Sequence, residues 1–300
     1  MAALTVTGVL AVGAGAAGAA GTWTATVLPP VTSGPPGTFV SSPAVSCPTT
    51  GFCLAVGSSA AEPDSPSLGG GVLPTAVELT PAGADAVVLP LPSGGADASL
   101  SAVSCVSDAW CAAVGQYEPP GGGVGPLLET FSDGTWTASA LPGVRRAYFA
   151  SLSPVSLLGG IACTSSTACV AVGVYPVHTG RTLGCCYRYH PLIESLSGTT
   201  WTPSTAPTPP EGADGSLSAV SCSAPGACVA VGNVTVPTGT DPLAETLTRG
   251  HWRAATLPLP AGASLPAPYP WSVSCVAGTC TVVGAVLTTG DSAARMAETG

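Results

Sequence analysis

Lysine is absent from this 300-residue sequence, and charge of any kind is scarce: charged residues make up 8% of the chain, and all seven basic residues are arginines. With a formal net charge of −9, the chain lacks the basic surface with which proteins grip a phosphate backbone, which excludes a general nucleic-acid binder. Histidine occurs three times, too few to complete zinc sites around the cysteines, whose spacing is also wider than the usual zinc motifs. Aromatic residues reach only 5%, so the core has to be assembled from small and branched aliphatic side chains. Long stretches free of helix breakers are few as well. Glycine and proline, 39 and 31 in number, are spread along the whole chain and leave long helices almost nowhere to form.

What is present fits an all-β protein with a sizeable core. Hydrophobic residues make up 46% of the chain, which argues against disorder. Twelve cysteines point to disulfides formed in an oxidising, extracytoplasmic compartment, secreted or in the cell envelope. The first 20 residues, opening "MAALTVTGVLAVG", form an uncharged Ala/Gly/Val run. Three readings stand for it: a signal peptide without its usual basic start, a decayed repeat whose "LAVG" echoes "CLAVG" at 53 to 57, or a membrane anchor, for which such small residues are poorly suited. Residues 21 to 300 are expected to form one domain with no membrane span in the mature chain.

Ten of the cysteines fall into five pairs: Cys47/Cys53, Cys105/Cys111, Cys163/Cys169, Cys222/Cys228 and Cys275/Cys280. Their first members are separated by 58, 58, 59 and 53 residues, the mark of a repeat array with units starting near residues 40, 98, 152, 215 and 268. Each unit predicts four strands: one ending at the first cysteine, one starting at the second, one around sequences such as "PLAETLT", and one opening at a tryptophan. A disulfide across the turn between the first two strands is expected to close a loop of seven residues and is worth about 2 kcal/mol. Four-stranded units of this length favour a β-propeller of about five blades over tandem domains, since an isolated four-stranded sheet would leave a face uncovered. The last unit stops at "RMAETG" without a tryptophan strand, whereas "GTWTATVLP" near the N-terminus is a tryptophan strand without a unit. An N-terminal strand containing Trp23 is thus expected to close the ring beside Glu298, the alternative being an open or truncated six-bladed array.

The pattern VSC-x5-C-x-AVG, then PLxE, then GTxW resembles the repeat of secreted bacterial Cys-stapled β-propeller proteins, largely uncharacterised, and covers nearly the whole chain. "SDGTW" at 132 to 136 is also similar to the Asp-box turn of sialidase-like propellers. The other repeats lack the aspartate and the spacing is one residue short, so neither sialidase chemistry nor metal binding carries over.

Five of the eight glutamates, Glu78, Glu129, Glu194, Glu245 and Glu298, occupy one repeat position. In three of these strands, those of Glu129, Glu194 and Glu245, alternation with apolar neighbours predicts that the glutamate lies on the packed face, with backbone N–H groups, hydroxyls or the tryptophan indole of a neighbouring strand, among Trp136, Trp201 and Trp252, as partners. A position repeated in every blade argues for architecture rather than for the paired carboxylates of glycoside hydrolysis. Ligand contacts are expected on the face of the long, dissimilar loops. There, Arg145, Arg146, Arg181 and Arg188 accompany Tyr187, Tyr189, His178 and His190, and no acid occurs between Asp133 and Glu194. Such a mixture suits an anionic or glycan ligand through bidentate and stacking contacts, while the plainer reading is a solvated loop. Cys185 and Cys186 are left over as an adjacent pair, for which a disulfide, free thiols and a metal ligand all stay open. No Ser-His-acid arrangement, cofactor motif or metal signature can be read. The expectation is a monomeric, non-catalytic binding or scaffold propeller with a glycan or protein ligand; an Asp-box glycoside hydrolase and a purely structural envelope protein are the alternatives.

Overall fold

The computed structural model describes residues 44–60, 71–142, 158–178, 187–209, 214–259, 263–288 and 292–299. All regular structure among them is β. Sheet 1 contains β1 (Ala44–Thr49), β2 (Phe52–Ala60), β3 (Val72–Thr80) and β4 (Gly83–Val88). Sheet 2 contains β5 (Ala96–Ser107), β6 (Trp110–Glu118), β7 (Gly125–Ser132) and β8 (Thr135–Ala140). Sheet 3 contains β9 (Leu158–Ser165), β10 (Ala168–His178), β11 (Tyr187–Ser197) and β12 (Thr200–Thr205). Sheet 4 contains β13 (Asp214–Ala224), β14 (Ala227–Val236), β15 (Gly239–Thr248) and β16 (His251–Thr256). Sheet 5 has three described strands, β17 (Ala263–Val276), β18 (Thr279–Thr288) and β19 (Ser292–Thr299). Within each sheet the strands are antiparallel neighbours in chain order.

From sheet 2 onward the first strand of a sheet lies against the preceding sheet: β5 on β1, β2 and β3, β9 on β5 and β6, β13 on β9, β10 and β11, and β17 on β13, β14 and β15. The first strands therefore form a continuous rank, and the sheets stack face to face around it in a propeller-like arrangement. Apolar residues fill each interface: Leu54, Val56 and Leu127 between sheets 1 and 2, Val114, Leu158 and Leu192 between sheets 2 and 3, Val172, Ile193 and Leu243 between sheets 3 and 4, and Val231, Val273 and Val282 between sheets 4 and 5.

Three recurring devices explain the repeat's spelling. The first is the disulfide across the turn between the first two strands of each sheet: Cys47–Cys53, Cys105–Cys111, Cys163–Cys169, Cys222–Cys228 and Cys275–Cys280 are all bonded. The expected seven-residue loop needs correction for the fifth pair. Cys280 follows its partner by five positions, whereas the other second cysteines follow theirs by six. The turn is the reason. In sheets 1 to 4 the pairing slips beside the cysteines, which absorbs an extra residue. In sheet 5 Cys275 faces Cys280 and Val276 faces Thr279 without a slip, leaving a two-residue turn in which Ala277 and Gly278 both have positive φ, 49° and 86°.

The second device is the serine before a first cysteine, which bridges neighbouring sheets. The amide N–H groups of Cys105, Cys163 and Cys275 donate to the hydroxyls of Ser46, Ser104 and Ser221 at 2.9, 3.0 and 3.0 Å. Between sheets 3 and 4 the corresponding position is Ala162, which offers no hydroxyl to Cys222. The third is the glycine of "AVG", which sits beneath a bulge of the first strand, where pairing slips between Leu100 and Ala102 and between Leu217 and Ala219. A Cβ on Gly115 or Gly232 would collide with the carbonyl oxygen of Ser99 or Ser216, so no larger residue fits.

The "SDGTW" stretch is a two-residue hairpin turn. Asp133 and Gly134 both have positive φ, 48° and 82°, as the turns that match strand twist require. Arg249 and Gly250 repeat the geometry at 52° and 79° without an aspartate, so the turn alone accounts for the motif.

Among the described residues, no helix is long and apolar enough to cross a membrane.

Candidate functional site

Because turns between strands one and two and between three and four share one end of the sheets, the remaining connections gather at the other end. There the start of β13, the ends of β10 and β14, and the start of β11 surround a pocket of about 350 Å³. Its walls are Val174, Tyr189, Asp214, Gly215, Ser216, Asn233 and Thr235. Strand register creates the polar cluster, since Asp214 pairs with Thr235 and Ser216 with Asn233. The Tyr189 amide N–H donates to Asp214 Oδ1 at 2.7 Å, tying sheet 3 to sheet 4. The Ser216 hydroxyl donates to Asn233 Oδ1 at 2.6 Å. Among the described residues no hydrogen bond engages Asp214 Oδ2, the Asn233 amide nitrogen or the Thr235 hydroxyl, which present acceptor, donor and mixed groups to a ligand.

Asp214, Ser216 and Asn233 were not marked by sequence patterning, although a signal existed. "GAD-x-SLSAVSC" occurs at both 95 to 105 and 212 to 222, and Asp97 does in the second repeat what Asp214 does in the fourth: its Oδ1 accepts the Val72 amide N–H at 2.8 Å. The longest identity between two repeats therefore encodes a clamp between sheets.

Of the expected contact residues, the structure brings Tyr189 to the pocket and separates Arg188 from it. Side chains alternate along a strand. Arg188 consequently leaves β11 on the face of Leu192, toward sheet 2, and is exposed, whereas Tyr189 leaves on the face of Ile193, toward sheet 4. The two do not form one grip. Arg145, Arg146, Arg181, Cys185, Cys186 and Trp23 lie outside the described residues, as do the side chains of Tyr187 and Glu298. The His190 ring packs 5.4 Å from that of Tyr175, whose hydroxyl is hydrogen-bonded to Thr205 at 2.6 Å, a structural role.

Glu129, Glu194 and Glu245 are fully buried, each on the strand face that meets the preceding sheet. Two expectations about this row need correction. Glu78 is out of register: Cys111, Cys169 and Cys228 each pair with the residue two beyond the glutamate, but Cys53 pairs with Leu79. Val77 consequently takes the buried position, and Glu78 is half-buried on the other face. The expected hydrogen-bonded network is also not formed throughout. Both carboxyl oxygens of Glu129 and of Glu245, and the indole nitrogen of Trp136, are buried without a hydrogen-bond partner among the described residues. Burial in this apolar setting pushes the Glu129 and Glu245 carboxyls up to about 8, so at neutral pH they are carboxylic acids. Neutral acids tolerate apolar surroundings far better than carboxylates do.

Comparison with family models finds no match, and none of the curated proteins matches in sequence. Among solved structures the chain is similar to Trypanosoma rangeli sialidase, at a TM-score of 0.48 and 11% identity, covering 85% of this chain and 44% of the sialidase. It is also similar to a thermostable family-43 glycoside hydrolase, at 0.42 and 12% over 86% of this chain and 87% of that one. A protein of unknown function from Dyadobacter fermentans gives 0.43 and 12% over 88% and 94% of the respective chains. These are likenesses of fold, and the chain spans less than half the length of the sialidase.

Proposed function

We propose that the chain is an extracytoplasmic, non-catalytic binding propeller that takes a glycan in the pocket between sheets 3 and 4. The observation that carries this reading is the pocket's lining: Tyr189 offers a ring, while Asp214, Ser216, Asn233 and Thr235 offer alternating donors and acceptors. Sugar hydroxyls both donate and accept, so such a lining suits them. Among the described residues Asp214 is the one carboxylate there, and one of its oxygens already holds the Tyr189 amide, whereas glycoside hydrolysis generally uses two carboxyl groups across the bond. The arginines in the sequence between β8 and β9 and between β10 and β11, Arg145, Arg146 and Arg181, extend this reading to anionic glycans.

The same reading makes the molecule a closed ring of five blades, with the N-terminal "GTWTATVLP" strand as the fourth strand of sheet 5. It is supported by Ala55, Val77 and Ala86, which lie on the face of sheet 1 away from sheet 2 and are nevertheless buried. An end sheet of an open array would leave that face to water. Disulfides in every sheet suit an oxidising location.

The test is a glycan array together with a screen of chromogenic glycosides, run on wild type, on Asn233→Ala, and on a variant with Arg145, Arg146, Arg181 and Arg188 all changed to alanine. Losing a hydrogen bond of about 1.5 kcal/mol should weaken binding roughly tenfold in Asn233→Ala. Binding to the array that ignores Asn233→Ala would reject this pocket, and turnover of any glycoside would reject the non-catalytic reading. Loss of binding only in the arginine variant would move the site to the loops.

A further inference from the structure

At the disulfide-turn end of the molecule, three positions come together at the first two interfaces between sheets: the residue before the second cysteine of one sheet, and in the next sheet the residue two beyond the buried glutamate and the tryptophan opening the fourth strand. Between sheets 1 and 2 these are Phe52, Phe131 and Trp136. The phenylalanine rings stack 6.4 Å apart, Trp136 follows at 5.2 Å from Phe131, and both phenylalanines are buried. The wedge is filled. Between sheets 2 and 3 the same positions hold Trp110, Leu196 and Trp201, and here a cleft of about 560 Å³ stays open. Leucine in place of Phe131 removes a ring from the filling, and Trp110 and Trp201 are only half-buried.

Trp110 is the anomaly. Its counterparts in the third and fourth sheets are Ala168 and Ala227, so the fold does not call for a large side chain at this point. Whereas Phe52 at the same position of sheet 1 is buried in its wedge, Trp110 is half-exposed and lines the cleft. The rest of the lining is amphipathic: Leu128, Leu141 and the two indoles supply apolar surface, and Thr130, Ser139, Thr199 and Thr200 supply hydroxyls. Among the described residues no charged side chain lines the cleft.

We propose that this wedge is a second saccharide site, for a neutral oligosaccharide whose ring faces lie on Trp110 and Trp201. A pyranose has an apolar C–H face and a rim of hydroxyls, and the cleft has the matching division, with indole faces for the first and hydroxyl side chains for the second. Its volume falls within the range of small-molecule sites. Because the cleft lies between sheets 2 and 3 and the Tyr189–Asn233 pocket between sheets 3 and 4, one molecule would hold two glycan segments at once.

Maltotriose, cellotriose, chitotriose and mannotriose serve as probes, with intrinsic tryptophan fluorescence as the signal. At least one should saturate the signal, and Trp110→Ala should weaken that binding at least tenfold while Asn233→Ala leaves it unchanged. The alanine at 168 and 227 indicates that Trp110→Ala will fold, which its melting curve checks. A second readout needs no variant: the bound trisaccharide should protect Trp110 and Trp201 from oxidation by N-bromosuccinimide, read by peptide mass, and leave Trp252 as reactive as before. No saturable signal with any of the four sugars, equal affinity in Trp110→Ala, or no protection of Trp110 would each overturn the second site, whatever the outcome at the pocket between sheets 3 and 4.

Discussion

The buried glutamates set the protein's response to pH at the scale of single residues. Glu129 and Glu245 have carboxyls held up at about 8 in the folded chain against 4.5 when free. Below pH 4.5 both folded and unfolded chains keep these protons, and the contribution to stability is complete. Between 4.5 and about 8 the unfolded carboxyls ionise while the folded ones do not, so the unfolded state binds fewer protons and stability falls as pH rises. Each pKa unit corresponds to about 1.4 kcal/mol, which makes the loss by pH 7 of order 3 kcal/mol per carboxyl. Chemical denaturation should therefore give a higher midpoint at pH 5 than at pH 8. Glu129→Gln and Glu245→Gln, which cannot ionise, should each flatten that slope and raise the midpoint at pH 8.5. A pH-independent midpoint in wild type would mean that these carboxyls find partners in solution. A second residue-scale prediction concerns Ala162, where the serine bridge between sheets is interrupted. Ala162→Ser should let the Cys222 amide donate to a hydroxyl as its counterparts do, adding about 1 kcal/mol and raising the denaturant midpoint without altering the slope. Ser104→Ala should lower it by a similar amount.

At the scale of the element, the first strand of each repeat decides the shape of its sheet. It carries the serine that reaches the next sheet and, in sheets 2 and 4, an aspartate that reaches back to the preceding one. Its bulge is possible because the facing residue is glycine. Gly232→Ala should accordingly destabilise by about 3 kcal/mol or more, since the added carbon meets backbone rather than a movable side chain. Gly134→Ala meets no neighbouring atom but is held at φ 82°, so its cost should be conformational and smaller, about 1 kcal/mol. Melting temperatures of the two variants compared side by side would separate steric from conformational demand.

For the whole molecule, the arrangement divides stability between covalent and packed contributions. Five bridges of about 2 kcal/mol each are comparable with the net stability of 5 to 15 kcal/mol typical of a domain. Reduction under native conditions should therefore lower the melting temperature steeply, and unchanged melting would show that packing alone suffices. Ring closure carries its own test. Deleting residues 1 to 30 removes the strand proposed to complete sheet 5, which would leave an open edge beside β19; lower melting and self-association are expected. A truncated chain as stable and monodisperse as the full one would favour the open array.

Repeat spacing and the half-hydrophobic, breaker-rich composition determined the strand inventory, the four-strand unit and the disulfide pairing, because these depend on contacts between residues close in the chain. Even the shorter loop ending at Cys280 is local in this sense, since one residue fewer leaves a turn without a bulge. The glutamates of the repeat show where such reading stops. Glu78 shares its motif with the others in sequence, yet β2 and β3 pair one residue out of register with the corresponding strands of sheets 2 to 4, which turns it to the other face, and register depends on how two strands meet across a loop. Arg188 and Tyr189 are adjacent in sequence and point to different interfaces for the same reason of alternation. Asp214, Asn233 and Tyr189, distant in sequence, form one pocket only because sheet 4 packs on sheet 3. Trp110 became distinctive only when the wedge it borders could be set beside the filled one at Phe52. Local chemistry follows from the order of residues, whereas cavities follow from how imperfectly neighbouring sheets fill the space between them, and that was decided in three dimensions.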